Sequence, residues 1–224
     1  MGVVRRRVRR SVNIGGEIGF FRLEAWWLSA FSDVERKHVE ALYYHPGLVK
    51  GKRPLTRGRG PSVYPTVCDL LIAMARPLVR RAEDRGLASR ILGKSEDCAI
   101  AKGNMIALHF TYEAMLQLHE KWKKLFGDAE DAAFAACYKQ VRIAEAVLEA
   151  LHDRYPMRPL PVHGGYELMV TLLTEGENYA QAMTICATAK SQGWPGDWVA
   201  RMQAVAKASG YAVRYISPAG VAHV

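Results

Sequence analysis

Chemistry-bearing side chains are plentiful in this sequence, but few stand at the spacings that chemistry needs. Two Glu-x-x-His pairs, Glu35 with His38 and Glu149 with His152, each place a carboxylate and an imidazole on one helix face. Carboxylate di-metal bundles use that pair twice and add one glutamate from each of two further helices. Glu24 and Glu113 nominally fill those places. Glu24 lies too near Glu35 in sequence to come from a separate long helix, so a carboxylate/histidine metal protein ranks last among the readings. No metal ligand and no cofactor is assigned.

Cys68, Cys98, Cys137 and Cys186 are dispersed, without a C-x-x-C pair, and sit beside apolar neighbours in helical patterns. That spacing supports no zinc or redox site, and a free thiol there behaves as a small hydrophobe. No phosphate-binding G-x-x-x-x-G-K-[ST] and no G-x-S-x-G elbow occurs, and Gly15-Gly16-x-x-Gly19 follows no strand. No catalytic residue is assigned, and the balance leans away from an enzyme. His119 falls between Met115 and Trp122 on an apolar seam and reads as core. Trp26, Trp27, Phe31, Tyr43 and Tyr44 also read as core, from their helical spacing.

The formal charge of +9 is unevenly placed. Arg5, Arg6, Arg7, Arg9 and Arg10 crowd the N-terminus, and Lys50, Lys52, Arg53, Arg57 and Arg59 crowd a second stretch, neither with an acid among them. Setting those ten aside leaves 21 basic against 22 acidic residues. The basicity therefore belongs to an arm and a loop, which would attract any polyanion in a salt-sensitive, sequence-independent way. No stretch approaches the roughly eighteen apolar residues of a membrane span, and no secretory signal is read, so a cytoplasmic location is expected.

Helical periodicity dominates the elements that must position these residues. Residues 1–16 form a basic arm expected to be disordered, and 17–210 a single helical domain. An apolar helix over 17–30 precedes Ser32-Asp33-Val34-Glu35, a capping box that starts the next helix. Residues 45–62, with three prolines and four glycines, read as a basic loop. Helical pattern resumes over 64–80, with a kink or break expected at Pro77, and again over 83–100. Met105, Leu108, Tyr112, Met115, His119, Trp122 and Phe126 then form one seam. Phe134, Cys137, Val141, Ala144, Leu148 and Leu151 form a second, which predicts two long helices in an antiparallel hairpin over 104–153. A shorter pair over 165–192, a last helix near 197–208 and an irregular tail over 211–224 complete about nine helices.

The stretch Gly165-Tyr166-Glu-Leu-Met-Val-Thr-Leu-Leu-Thr-Glu-Gly176-Glu-Asn-Tyr179-Ala-Gln-Ala182-Met-Thr-Ile-Cys186-Ala-Thr-Ala189 resembles a tetratricopeptide repeat. An aromatic opens each helix, and Ala182 and Ala189 stand where two helices approach closely. Val170 replaces the repeat's usual small residue, and the closing proline, Pro195, is displaced behind Trp194. More broadly, residues 20–205 resemble an uncharacterised bacterial family of tetratricopeptide-repeat-like (TPR-like) helical proteins. That likeness rests on Trp26-Trp27-Leu28-Ser29-Ala30-Phe31, Pro54-Leu55-Thr56, His109-Phe110, Leu160-Pro161-x-His163-x-Gly165-Tyr166 and Gln192-Gly193-Trp194-Pro195-Gly196-Asp197-Trp198. It implies an all-α fold of stacked antiparallel helical hairpins, either a right-handed α-solenoid or a compact α-α array. It supplies no reaction.

These readings favour a non-enzymatic scaffold that binds a protein or peptide partner. Repeat arrays of this kind bind through the first helices of their hairpins. The candidate partner-binding residues are therefore His109, Glu113, Gln117 and Lys121 on the long helix, with Glu167, Thr171 and Thr174 on the later one. The alternative is an accessory nucleic-acid (polyanion) binder that uses the arm and loop. Nothing in the sequence sets the oligomeric state.

Overall fold

Side-chain caps mark where five of the helices begin, and left-handed residues mark where several end. The structure, a computed structural model, describes residues 14–44, 53–58 and 61–210. All regular structure among them is helical: eleven α-helices and one 3-10 turn. The chain divides after Cys98 into two compact units.

The first unit holds α1 (Gly16–Phe20), α2 (Glu24–Ala30), α3 (Asp33–Leu42) and α4 (Val67–Leu78). A 3-10 turn (Ala82–Asp84) then leads into α5 (Arg85–Ala101), of which all but residues 99–101 belong to this unit. The single helix expected over 17–30 is two. Arg22 turns left-handed (φ 57), the Leu23 N–H donates to the Ile18 carbonyl and the Arg22 N–H to that of Gly19. That is a Schellman stop built on arginine, with no glycine to announce it. The predicted Ser32–Glu35 capping box is present, and a second one, Thr66 with Asp69, starts α4. Pro77 lies in the last turn of α4, which ends one residue later. Apolar burial centres on Trp27, Leu70, Leu71, Met74, Leu78, Ile91 and Leu92.

Part of the expected basic loop is built into this unit. The N–H groups of Gly15, Gly16, Glu17 and Ile18 donate to the carbonyls of Thr56, Gly58, Pro54 and Leu55 at 3.0–3.2 Å. These would otherwise be orphan donors at the start of α1. The Glu40 carboxylate accepts from the Thr56 hydroxyl (2.7 Å) and amide (3.2 Å), and Leu55 is buried. Gly16 is needed there. Its φ is 59, and a Cβ would lie 2.3 Å from the Pro54 carbonyl oxygen.

The second unit holds α6 (Met105–Trp122), α7 (Ala129–Arg142), α8 (Ala144–Arg154), α9 (Gly164–Glu175), α10 (Tyr179–Ser191) and α11 (Trp198–Ala208). Asn104 caps α6 and Asp197 caps α11 through their side-chain oxygens. The chain breaks at Ile143, so the long helix expected over 128–153 is α7 followed by α8. With the split at Arg22, this is why about nine predicted helices become eleven. Helix α7 packs on both α6 and α9, α10 packs on both α9 and α11, and α9 also touches α6 and α11.

The face that α7 buries differs from the predicted seam. Ala129, Ala133, Ala136, Cys137 and Gln140 face inward, while Phe134 is 44% exposed. Small side chains let one helix lie close to two neighbours, which a phenylalanine on that face would prevent. Further along, Tyr166, Ala182, Cys186, Ala189, Trp194, Trp198 and Val205 form one core with α8's Val147 and Leu151.

Helix α9 ends in the same way as α1. Glu177 sits at φ 59, and the Asn178 N–H donates to the Leu173 carbonyl. A non-glycine residue in this conformation costs about 1–2 kcal/mol, of which glycine's greater chain entropy cancels part. Exposed Glu177→Gly is therefore expected to raise the unfolding free energy by about 0.5–1 kcal/mol in urea titration. A neutral or destabilising result would contradict this helix ending.

Candidate functional site

A buried polar centre lies where α6, α7 and the start of α9 meet. Gln140, on the alanine-lined face of α7, is 0% exposed, as is His163, and His109 is 1% exposed. The Gln140 amide links three segments. Its Oε1 accepts the Gly165 N–H at 2.7 Å, while its Nε2 faces the His109 carbonyl (3.2 Å), the Glu113 carboxylate (3.2 Å) and His109 Nδ1 (3.5 Å). The Gly165 amide fixes which end of the side chain is oxygen.

His163 is the N-cap of α9, its Nδ1 accepting at 3.2 Å the Tyr166 N–H that also donates to the His163 carbonyl at 3.1 Å. Two donors of the first turn are thus satisfied by two side chains, Gln140 and His163. The Glu113 carboxylate lies over the same turn, where the positive end of the helix favours it. A methyl group at Gly164 would meet Glu113 Oε2 at 2.5 Å, and one at Gly165 would meet Gln140 Oε1 at 2.5 Å. Consecutive glycines are what let the carboxylate and the amide approach.

Aromatic rings close the centre. His109 stacks on Trp194 at 5.5 Å and 8°, while His163 meets the same indole edge-on at 4.6 Å. The two imidazoles are 5.0 Å apart. Gln192 accepts both the Tyr166 hydroxyl (2.7 Å) and the Trp194 indole N–H (3.1 Å), and the Trp198 N–H donates to the Trp194 carbonyl. Neither imidazole Nε2 has a hydrogen-bond partner.

Burial holds His109 down at about 4. It holds His163 down at about 3, the neighbouring His109 adding to the shift and the carbonyls of His163 and Gln140 opposing it. Both rings are therefore neutral at pH 7. Because Nδ1 of His163 accepts, its proton is on Nε2. A metal at Nε2 would move that proton to Nδ1, against the Tyr166 N–H. Burial pushes the Cys137 thiol up to about 12, with Glu113 and Glu120 contributing, and it donates to the Gly165 carbonyl. This centre joins chain segments and presents neither a nucleophile nor a base to solvent.

The predicted site residues separate accordingly. His109 is interior, so it is corrected from partner contact to core. Glu113 is half-buried and engaged with Gln140 and with the Gln117 amide (2.9 Å). Gln117, Lys121 and Thr171 are exposed, and Lys121 lies over the Trp122 ring. Glu167 pairs with Arg201 of α11 at 2.8 Å. The Thr171 and Thr174 hydroxyls donate to carbonyls one turn back.

Of the polyanion set, Arg53 and Arg57 are exposed on the tight turn that caps α1. Arg5, Arg6, Arg7, Arg9, Arg10, Lys50, Lys52 and Arg59 lie outside the described residues, as do the expected 1–13 portion of the arm and the 211–224 tail. For the Glu-x-x-His pairs, Glu35 bonds Ser32 and Arg90, and His38 bonds Asp84 at 2.9 Å. Glu149 and His152 are exposed. Among the described residues, no three His, Cys, Asp or Glu side chains gather as a metal-ligating group, and no helix is long and apolar enough to cross a membrane.

No protein-family model matches the chain, and comparison with curated proteins and with solved structures gives no match. The structural centre thus stands on its own geometry. The sequence singles out His109 and His163 but not Gln140. Its signal was a long polar side chain in register with a face of alanine and cysteine.

Substituting Gly165→Ala drives a Cβ into Gln140 Oε1 and breaks the bond that ties α7 to α9. Loss of about 2–3 kcal/mol is expected in chemical denaturation. Gly127→Ala, where a Cβ meets nothing within 4 Å, serves as the control and should stay within about 0.5 kcal/mol. Equal effects at the two sites would contradict the assignment.

Proposed function

We propose that this protein is a non-enzymatic interaction module whose second unit binds a peptide segment of a partner protein across α6, α9 and α11. The observation that carries this reading is the packing order. Helices α6, α9 and α11 touch in sequence; α7 and α10, between them in the chain, pack on both neighbours, and α8, after α7, packs on α6 and α7. Stacked hairpins pack in this order, and the tetratricopeptide resemblance of 165–192 assigns binding to the first helices. Small residues at the contacts, Ala136, Cys137, Ala182, Cys186 and Ala189, supply the close approach that such stacking needs.

The outward residues of these helices are polar and mixed in charge. Gln117 and Lys121 on α6, Thr171 on α9 and the Glu167–Arg201 pair between α9 and α11 offer donors, acceptors and both signs. A surface of this kind suits an extended polar peptide better than an apolar helix. His109 contributes from within, by fixing the start of α9.

The test needs one partner, recovered by proximity labelling and then titrated as a purified segment. The double substitution Lys121→Glu with Thr171→Arg should weaken binding at least tenfold without lowering Tm. Lys190→Glu on α10 should leave binding unchanged. Binding that responds to Lys190→Glu alone, or the recovery of no peptide-binding partner, would contradict the proposal. Saturable binding of nucleic acid that is lost with Arg53→Ala and Arg57→Ala would favour the polyanion reading instead.

A further inference from the structure

We propose that His163 is a proton-operated latch on the first turn of α9, so that protonating it releases that turn before the rest of the second unit unfolds. Three geometric features combine. The N-cap of α9 is a histidine whose Nδ1 must be an acceptor, since the Tyr166 N–H points at it from 3.2 Å. A proton on Nδ1 sets two donors against each other and leaves the Tyr166 N–H only the His163 carbonyl, 3.1 Å away. It also puts a positive charge at the helix end that already carries positive potential, 5.0 Å from a second imidazole and out of contact with water.

The surroundings offer little to stabilise that charge. On α6 the nearest carboxylate, Glu113, is directed at Gln140 and Gln117. On α7 the neighbours are Gln140 and the neutral Cys137 thiol. On α9 itself they are Tyr166, whose hydroxyl is held by Gln192, and Glu167, which pairs with Arg201 of α11. From the turn after α10 the contact is Trp194, and α8 contributes Glu145, whose charge acts on Tyr166. A serine, threonine, asparagine or aspartate is the usual N-cap, and of these only aspartate titrates, at lower pH. Histidine alone makes the cap weaken progressively as pH falls below about 6.5.

The sign follows from the two states. The ring titrates near 6.5 when released and near 3 when latched, so the latched state is fully favoured above about pH 6.5 and loses ground as pH falls toward 3. Between pH 7 and pH 5 the opening equilibrium of the first turn should rise about twenty-five-fold. Because α9 carries Glu167, Thr171 and Thr174, the latch would also weaken partner binding in acid. That consequence rests on the proposed function, whereas the experiment below uses no partner and so fails or succeeds independently of it.

Amide hydrogen exchange on the full chain, corrected for intrinsic rates, should show the Tyr166 amide losing roughly twenty-five-fold protection from pH 7 to pH 5. Cys186 in the middle of α10, which opens only with the whole unit, should stay better protected than Tyr166 at both pH values. In His163→Asn, which keeps an acceptor but gains no proton, the Tyr166 loss should vanish. Tyr166 and Cys186 equally protected at both pH values, no pH dependence at Tyr166, or an unchanged dependence in His163→Asn would each overturn the latch. If the variant does not fold, the Tyr166–Cys186 comparison in the natural sequence still decides.

Discussion

The second unit depends on one buried amide. Gln140 sits on a face of α7 otherwise lined by alanine and cysteine, and its side chain reaches the His109 carbonyl, the Glu113 carboxylate and the Gly165 N–H. A buried primary amide left unpaired costs several kcal/mol. Here each end has a partner on another chain segment. The requirement that both ends be met fixes α7 against α6 and sets the depth at which α9 can begin. The consecutive glycines, the histidine cap and the stacked Trp194 all follow from that placement.

The same constraint explains why two histidines lie in a core. An imidazole offers one acceptor and one donor on a flat ring, so His163 can cap a helix with one edge while its face packs against indole and phenol. His109 stacks on Trp194 with its backbone carbonyl turned toward Gln140. Both must be neutral to fit, which ties this part of the fold to pH. The polar centre positions the helices, and any recognition would fall to the residues outside it. A binding surface on α6, α9 and α11 would therefore inherit its geometry from groups that a partner never touches.

Much of the helix inventory was legible because its signals are local. Ser32 with Glu35 marks a start, and Gly193 marks a stop. The misses share one cause. Arg22 and Glu177 end helices in the left-handed conformation without being glycine, so their role comes from tertiary packing and leaves no residue-type signature. The seam on α7 was misread because Phe134 looked like core, whereas close approach to two neighbours favoured the alanine face. His109 was legible as special but not as buried, since an Asn-capped helix start followed by His-Phe reads equally well as surface. Residues 53–58 looked like free loop. Their backbone carbonyls serve α1, a role that depends on where the chain returns and not on its composition.

The central claim is that Gln140 is held by its polar partners and not by its volume. Replacing it with methionine conserves size and adds apolar character, yet strands the Gly165 N–H and takes one donor from the Glu113 carboxylate. Equilibrium urea unfolding of Gln140→Met is the direct measurement. The account predicts a loss of about 2–4 kcal/mol. Unchanged or increased stability would contradict it.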